Sequence, residues 1–173
     1  MIDVETLDVR PTATVLSLGA VKFNPLTTDE PHSEFYIKIC VDNQDLLGRT
    51  TSDSTLQWWG QQDPKVMEEA FDQTGAVSVD DALSQLNKWV VGVDELWGHG
   101  YGFDYTILEN MYKMTGKPIP WQFWKISDSR TLTKRMPVDP RKAMQTDLHN
   151  ALADAYFQAK SVQQIFSHFG FKK

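Results

Sequence analysis

Alternation of apolar and polar positions dominates the first forty residues. Met1, Ile2 and Val4 favour a strand, and Asp3 and Glu5, two apart, fall on one face of it. A connection over residues 6–14 contains Pro11, and residues 15–23 then read as a second strand stopped by Asn24-Pro25. Over residues 33–41, Phe35, Ile37, Ile39 and Val41 alternate with Glu34, Tyr36, Lys38 and Cys40, which predicts a third strand. Together these predict a central strand followed by an antiparallel hairpin or meander.

Beyond residue 50 the period lengthens. Ser52-Asp53-Ser54 supplies caps before Thr55-Leu56-Gln57-Trp58-Trp59, and Asp63-Pro64 reads as cap and first residue of a helix running to Phe71. Ser78, with Asp81 three residues on, opens a helix whose apolar stripe is Ala82, Leu83, Leu86, Trp89 and Val90. Residues 95–99 form a short predicted strand. Gly98, Gly100 and Gly102 then turn the chain into a helix from about Phe103, with Ile107, Leu108, Met111 and Met114 at helical spacing and Gly116 at its end. A short strand over 123–127 precedes a helix over 129–136. A polar connection over 137–146 follows, and a last helix is predicted from Leu148 to about Phe169. Its stripe runs Leu148, Ala151, Leu152, Ala155, Tyr156, Ala159, Val162, Ile165, Phe166 and Phe169.

Composition narrows the class. The 173 residues suffice for one domain, taken as 1–173, and 41% hydrophobic content fits a globular core. No apolar run reaches the length of a membrane span, and the N-terminus lacks the pattern of a secretory signal. Cys40 is the one cysteine, which excludes an internal disulfide framework and a cysteine zinc cluster and points to the cytoplasm. The net charge of −6 argues against a broad basic surface for nucleic acid, though not against an enzyme that holds its substrate through metals in a narrow groove. Arg130, Lys134, Arg135, Arg141 and Lys142 form the densest basic patch, ordinarily a solvated face and here also a candidate for phosphate contact.

The candidate chemistry is acidic. Two carboxylates side by side on a strand face repel, and a divalent cation would hold them. Asp-x-Glu alone is common. Asp104, however, sits at the first turn of a predicted helix, where capping is the plain alternative, and Asp154 interrupts the apolar stripe of the last helix, where an unpaired carboxylate is costly. His149 lies five residues before Asp154. Five helical residues separate two side chains by about 140°, so the pair can address one site only if His149 stands on the entry turn rather than in the helix. The Trp58-Trp59 pair reads as packing, with a base-stacking groove as the lesser reading. His99 reads as structural or exposed, and His32 and His168 receive no role.

Asp3-Val4-Glu5-Thr6-Leu7 with Leu16-Ser17-Leu18-Gly19-Ala20-Val21, Phe103-Asp104 before Ile107-Leu108, and His149-Asn150-Ala151-Leu152-Ala153-Asp154-Ala155 together resemble the three motifs of the DEDDh (DnaQ-like) 3′–5′ exonucleases. Thr55-Leu56-Gln57-Trp58-Trp59-Gly60-Gln61-Gln62 resembles the branch holding exodeoxyribonuclease-VIII-like, phage DexA-like and mycobacterial exoribonuclease-like proteins. The resemblance covers essentially the whole chain. It implies an α/β, RNase H-like fold with a five-stranded mixed sheet flanked by helices, and the metal site at the end of the first strand. It implies that Asp3, Glu5, Asp104 and Asp154 hold two Mg²⁺ or Mn²⁺ ions and that His149 is the general base. Thr6 and Leu7 would touch substrate, Leu7 as an apolar wedge beside the terminal base. The implied partners are the 3′ ends of single-stranded DNA or RNA, and relatives in this branch include dimers. An RNase H-like endonuclease and a non-catalytic binding module of the same fold are the alternatives. Two departures stand out: Met1 and Ile2 alone precede Asp3, so upstream residues are missing or the strand pairs over less length, and Tyr105 follows Asp104 where relatives often carry Asn.

Overall fold

The computed structural model describes residues 1–143 and 149–172. Strands β1 (Ile2–Thr6), β2 (Val15–Lys22) and β3 (His32–Lys38) form an antiparallel sheet in the order β1-β2-β3, with Asp3 opposite Gly19 and Glu5 opposite Ser17. Helices α1 (Val41–Leu46), α2 (Asp53–Trp59), α3 (Pro64–Phe71) and α4 (Val79–Trp89) follow. Strand β4 (Leu96–Gly98) leads into α5 (Asp104–Met114), and β5 (Ile126–Asp128) leads into α6 (Ser129–Thr133). The last helix is α7 (Ala151–Phe169). The predicted helix start at Leu148 and the end of the polar connection lie outside the described residues.

The two faces of the three-stranded sheet follow the parity of β1. Ile2 and Val4 pack with Leu18 and Ala20 against α4 and α5, through Leu83, Leu86, Ile107, Leu108 and Met111. Met1 and Val21 face the other way, with Trp97, onto Ala155, Ala159 and Val162 of α7. Period two therefore carries Asp3 and Glu5 onto one face, as the alternation predicted, and that face is the one covered by α7.

The fold is α/β, but the five strands pair as two sheets rather than one continuous ladder. β4 and β5 pair parallel, with Trp97 opposite Ser127, and β4 lies beside β1 without a hydrogen-bonded ladder to it among the described residues. Side chains meet the backbone groups in between. The Tyr105 hydroxyl donates to the Trp97 carbonyl at 3.1 Å, and the Val4 amide acts on the Asp104 carboxylate.

Other boundaries shift for local reasons. The predicted third strand ends at Lys38, and the chain then turns into α1, which the alternation hid. Gln44 of α1 is fully buried: its amide oxygen accepts from Val15 N at 2.8 Å and its Nε2 donates to Val15 O at 2.7 Å, standing in for a strand neighbour. Residues 123–125 form a 3₁₀ turn, so the fifth strand begins at Ile126 instead. The helix predicted over 129–136 ends at Thr133. The caps at Ser52, Asp63 and Ser78 form as read, each side chain accepting from a backbone amide of the first turn.

Candidate active site

Gly19 brings the two halves of the site together. A Cβ built there would stand 2.2 Å from the carbonyl carbon of Ala151 and 2.2 Å from the amide nitrogen of Leu152. The first turn of α7 thus rests directly on β2, beside Asp3, and carries Asp154 up to Glu5. His149 lies outside the helix, as the angular argument required, with a left-handed backbone at φ 67°. Its backbone N–H donates to Asp154 Oδ2 at 3.1 Å. Asn150 caps α7, its Oδ1 accepting from Leu152 N and Ala153 N at 3.1 Å each. Asp104 enters from the first turn of α5, its Oδ2 only 3.3 Å from where a Cβ on Gly98 would stand.

The four carboxyls share one field. Burial raises Asp3 well above the usual carboxylate range, and Asp104, Glu5 and Asp154 push it further. Glu5 is pushed up to about 8 by burial and then by Asp154 and Asp104. Burial lifts Asp104 to about 7, against its own backbone amide, that of Val4 and the charge of Arg130. Asp154 rises to about 6, again through burial, with the His149 amide and Arg141 opposing. Among the described residues none of the four makes an ion pair with lysine or arginine. Asp3 accepts a hydrogen bond from Gln158 Nε2 at 2.8 Å, while the buried Oε1 of the same amide has no partner among the described residues.

One ligand atom from each of Glu5, His149 and Asp154 lies within 4.8 Å of the others. This oxygen-rich set, with one imidazole nitrogen at its rim, fits a hard divalent cation that would relieve the repulsion. Asp3 and Asp104 add their charge from the adjoining strand and helix. Burial lowers the His149 pKa, which favours the neutral imidazole, and among the described residues its ring nitrogens make no hydrogen bond.

Thr6 and Leu7 are tied into the protein. Thr6 Oγ1 donates to the Asp8 carbonyl at 2.8 Å, and the Thr6 carbonyl accepts from Trp59 Nε1 at 2.9 Å. Leu7 is buried with Leu16, Trp59 and Ala70. Within the basic patch, Arg130, Lys134, Arg135 and Lys142 are exposed, and Arg130 and Arg141 are committed to hydrogen bonds. Arg141 binds both oxygens of Asp139 and donates to His99 Nε2 at 2.6 Å, and Arg130 donates twice to the His99 carbonyl. His99 is structural, completing the chain with Nδ1–H to Ser129 Oγ at 2.9 Å and Ser129 Oγ to the Gly98 carbonyl at 2.9 Å.

Gly19 and Gln158 are the supporting residues whose roles sequence reasoning passed over, while Trp59 packs in the core as read. Gln158 alone carried a signal, standing four residues after Asp154 on the same helix face.

This acidic pocket belongs to a hydrolase of the DnaQ-like 3′–5′ exonuclease class. The family model described as the 3′-5′ exoribonuclease Rv2179c-like domain matches residues 1–166, and the chain belongs to that family. A relative, the exodeoxyribonuclease of Enterobacteria phage T4, is 28% identical over 156 residues, covering 76% of this chain and 68% of the phage protein. Its substrate is therefore nucleic acid, and among the described residues no helix is long and apolar enough to cross a membrane.

Proposed function

We propose that residues 1–173 form one DEDDh exonuclease domain that removes nucleoside 5′-monophosphates from the 3′ end of single-stranded DNA or RNA, with two Mg²⁺ or Mn²⁺ ions as cofactors. The observation that carries the reading is four mutually repelling carboxyls without a basic partner among the described residues, beside an imidazole whose nitrogens are uncommitted. When bound, the cations would supply Lewis-acid activation of water and charge stabilisation for the attacked phosphate and the departing oxygen. Asp3, Glu5, Asp104 and Asp154 would hold them. His149 accepts the proton of the attacking water, a role that needs the neutral imidazole which burial favours. Thr6 and Leu7, at the C-terminal end of β1, are the proposed contacts to the terminal nucleotide. The five strands are proposed to be an RNase H-like arrangement, supported by the position of β4 beside β1. A cytoplasmic setting is part of the same proposal, supported by the single cysteine.

The test is incubation with 5′-labelled single-stranded DNA and RNA of one sequence, with Mg²⁺, Mn²⁺ or EDTA, resolved on a gel. A metal-dependent ladder shortening from the 3′ end is the expected result, and the faster ladder names the preferred sugar. Internal cuts would favour the RNase H-like reading, and no cleavage of either polymer the binding-module reading.

A further inference from the structure

The short helix α2 bears two adjacent tryptophans whose positions differ sharply. Trp59 is 1% exposed, locked by its Nε1 bond to the Thr6 carbonyl and edge-on to Phe71 at 5.6 Å. Trp58 is 41% exposed, yet its ring does not lie free on the surface. Its centroid stands 4.7 Å from that of the His149 imidazole at an interplanar angle of 83°, and Trp59 meets the same imidazole at 5.9 Å and 77°. The two indoles are themselves perpendicular, 5.0 Å apart. His149 is therefore bracketed by two rings from one helix.

The rest of α2 is anchored to the strand that bears Asp3 and Glu5. The Ser52 amide, at the helix cap, donates to the Leu7 carbonyl at 2.9 Å, and Trp59 reaches Thr6. The neighbouring helix α3 holds the other side of the entry turn, through Glu69 accepting from the Asn150 side chain. The imidazole has no hydrogen bond of its own among the described residues, and it sits on a left-handed residue, a conformation that costs a non-glycine side chain energy and persists only when its surroundings enforce it. Edge-to-face contact supplies that enforcement without consuming either ring nitrogen.

We propose that Trp58 is a positioning residue for His149: with Trp59 it sets the imidazole in register with the carboxylates of β1, leaving both nitrogens free for the reacting water. The inference rests on the exonuclease reading with His149 as base. It predicts a dependence that neither a packing residue nor a base-stacking platform would show.

The experiment compares wild type, Trp58→Ala, Trp58→Phe, His149→Ala and the Trp58→Ala/His149→Ala double variant. Turnover is measured on 5′-labelled single-stranded RNA and DNA with Mg²⁺, and the histidine Cε1–H resonances are recorded by NMR. A ring misplaced by about an ångström costs on the order of 10²-fold. Trp58→Ala is therefore expected to lower kcat about 10- to 100-fold with KM within about twofold, and Trp58→Phe to recover most of the loss. The Trp58 change should add nothing in the His149→Ala background, and the His149 resonance should move when the indole ring current is removed. A rise in KM at constant kcat would overturn positioning in favour of a stacking platform. An additive loss in the double variant, or an unmoved His149 resonance, would overturn it in favour of plain packing. A His149→Ala protein with wild-type turnover would instead sink the general-base reading, and the proposal with it.

Discussion

Replacing Gly19 by alanine puts the architecture of the site to a direct test. Glycine has no conformational reason to stand at this point of β2, where the backbone is an ordinary paired strand opposite Asp3 and Tyr36. On backbone entropy alone, alanine would gain roughly 0.5–1 kcal/mol. The steric account runs the other way. The added methyl would lie 2.2 Å from two backbone atoms of α7 and 2.3 Å from the Ala151 carbonyl oxygen, where ordinary contact begins near 3.4 Å. The N-terminus of α7 must therefore retreat by about 1 Å, and backbone cannot rotate aside as a long side chain would. Overpacking of this kind costs about 1–3 kcal/mol, so a net loss of about 1–2 kcal/mol in urea unfolding is expected. The effect on turnover should be larger, because Asp154 and His149 ride on that turn while Asp3 and Glu5 stay with the strand. Displacement by about 1 Å predicts a fall in kcat of about 10²-fold or more on 5′-labelled oligonucleotides. A Gly19→Ala protein with wild-type kcat and unchanged stability would refute the claim that the glycine sets the distance between the first and third motifs.

Three further expectations follow from the electrostatics and the core. Raised carboxyl pKa values mean that the metal-free protein loses stability as pH rises from about 4, where the unfolded carboxyls ionise, until it has passed the folded values of about 6 to 8. Mg²⁺ at about 100-fold its dissociation constant should stabilise by about 2.7 kcal/mol, some 5–10 °C in Tm, and a fixed Mg²⁺ concentration should stabilise more at pH 8 than at pH 5.5; a Glu5→Gln/Asp104→Asn protein should be more stable without metal and insensitive to it. His99 shifts the opposite way: burial, Arg141 and Arg130 lower it to about 4, so the stability conferred by its neutral form is complete above about 6.5 and lost as pH falls toward 4. Between pH 7.5 and 5 this loss amounts to about 2 kcal/mol, measured as the difference in urea stability between wild type and His99→Gln, and a parallel pH profile in the two proteins would remove the assignment. Gln44→Leu leaves the Val15 amide and carbonyl buried without partners and should cost about 2–4 kcal/mol in chemical unfolding with little change in kcat for whatever remains folded.

Much of this site was legible in the chain because its elements obey short-range rules. Period two decided the face shared by Asp3 and Glu5, and the separation of about 140° made a site shared by His149 and Asp154 conditional on His149 standing on the entry turn, although the periodicity began the helix at Leu148. What escaped the reading depends on contacts between distant segments. Nothing local distinguishes Gly19 from a glycine that merely interrupts a strand; its meaning appears only when α7 crosses it. Helix α1 is six residues long and begins on the last apolar position of an alternating run, so periodicity assigned Val41 to the strand. The basic patch likewise acquires its meaning from distant contacts. Five cations close in sequence read as a solvated face that is also a candidate for phosphate contact; the guanidinium groups of Arg130 and Arg141 support the glycine turn through His99, while Arg130, Lys134, Arg135 and Lys142 are exposed.

The fold offsets part of the repulsion it creates, and the size of that part shows what else the site needs. Asp104 and Asp154 both sit in the first turn of a helix, where the backbone dipole favours a negative charge by about 0.3–1 kcal/mol, at most ~2. Gln158 donates one hydrogen bond to Asp3, the His149 amide one to Asp154, and the Val4 and Asp104 amides bond the Asp104 carboxylate. Each is worth about 1.5–3 kcal/mol to a charged acceptor. Against this, lifting Glu5 from its ordinary value to about 8 corresponds to on the order of 5 kcal/mol for one group alone, and three other carboxyls share the field. Even with the helix ends and these hydrogen bonds in place, Glu5 and Asp104 stay at about 8 and about 7, so the four carboxyls are not all ionised together at neutral pH. Either protons or cations must complete the site. A protonated cluster would make the protein most stable in mild acid, whereas cations would move that maximum to neutral or alkaline pH. This is why the pH dependence of the Mg²⁺ stabilisation, rather than its size at one pH, separates a metal centre from a buried acidic cluster.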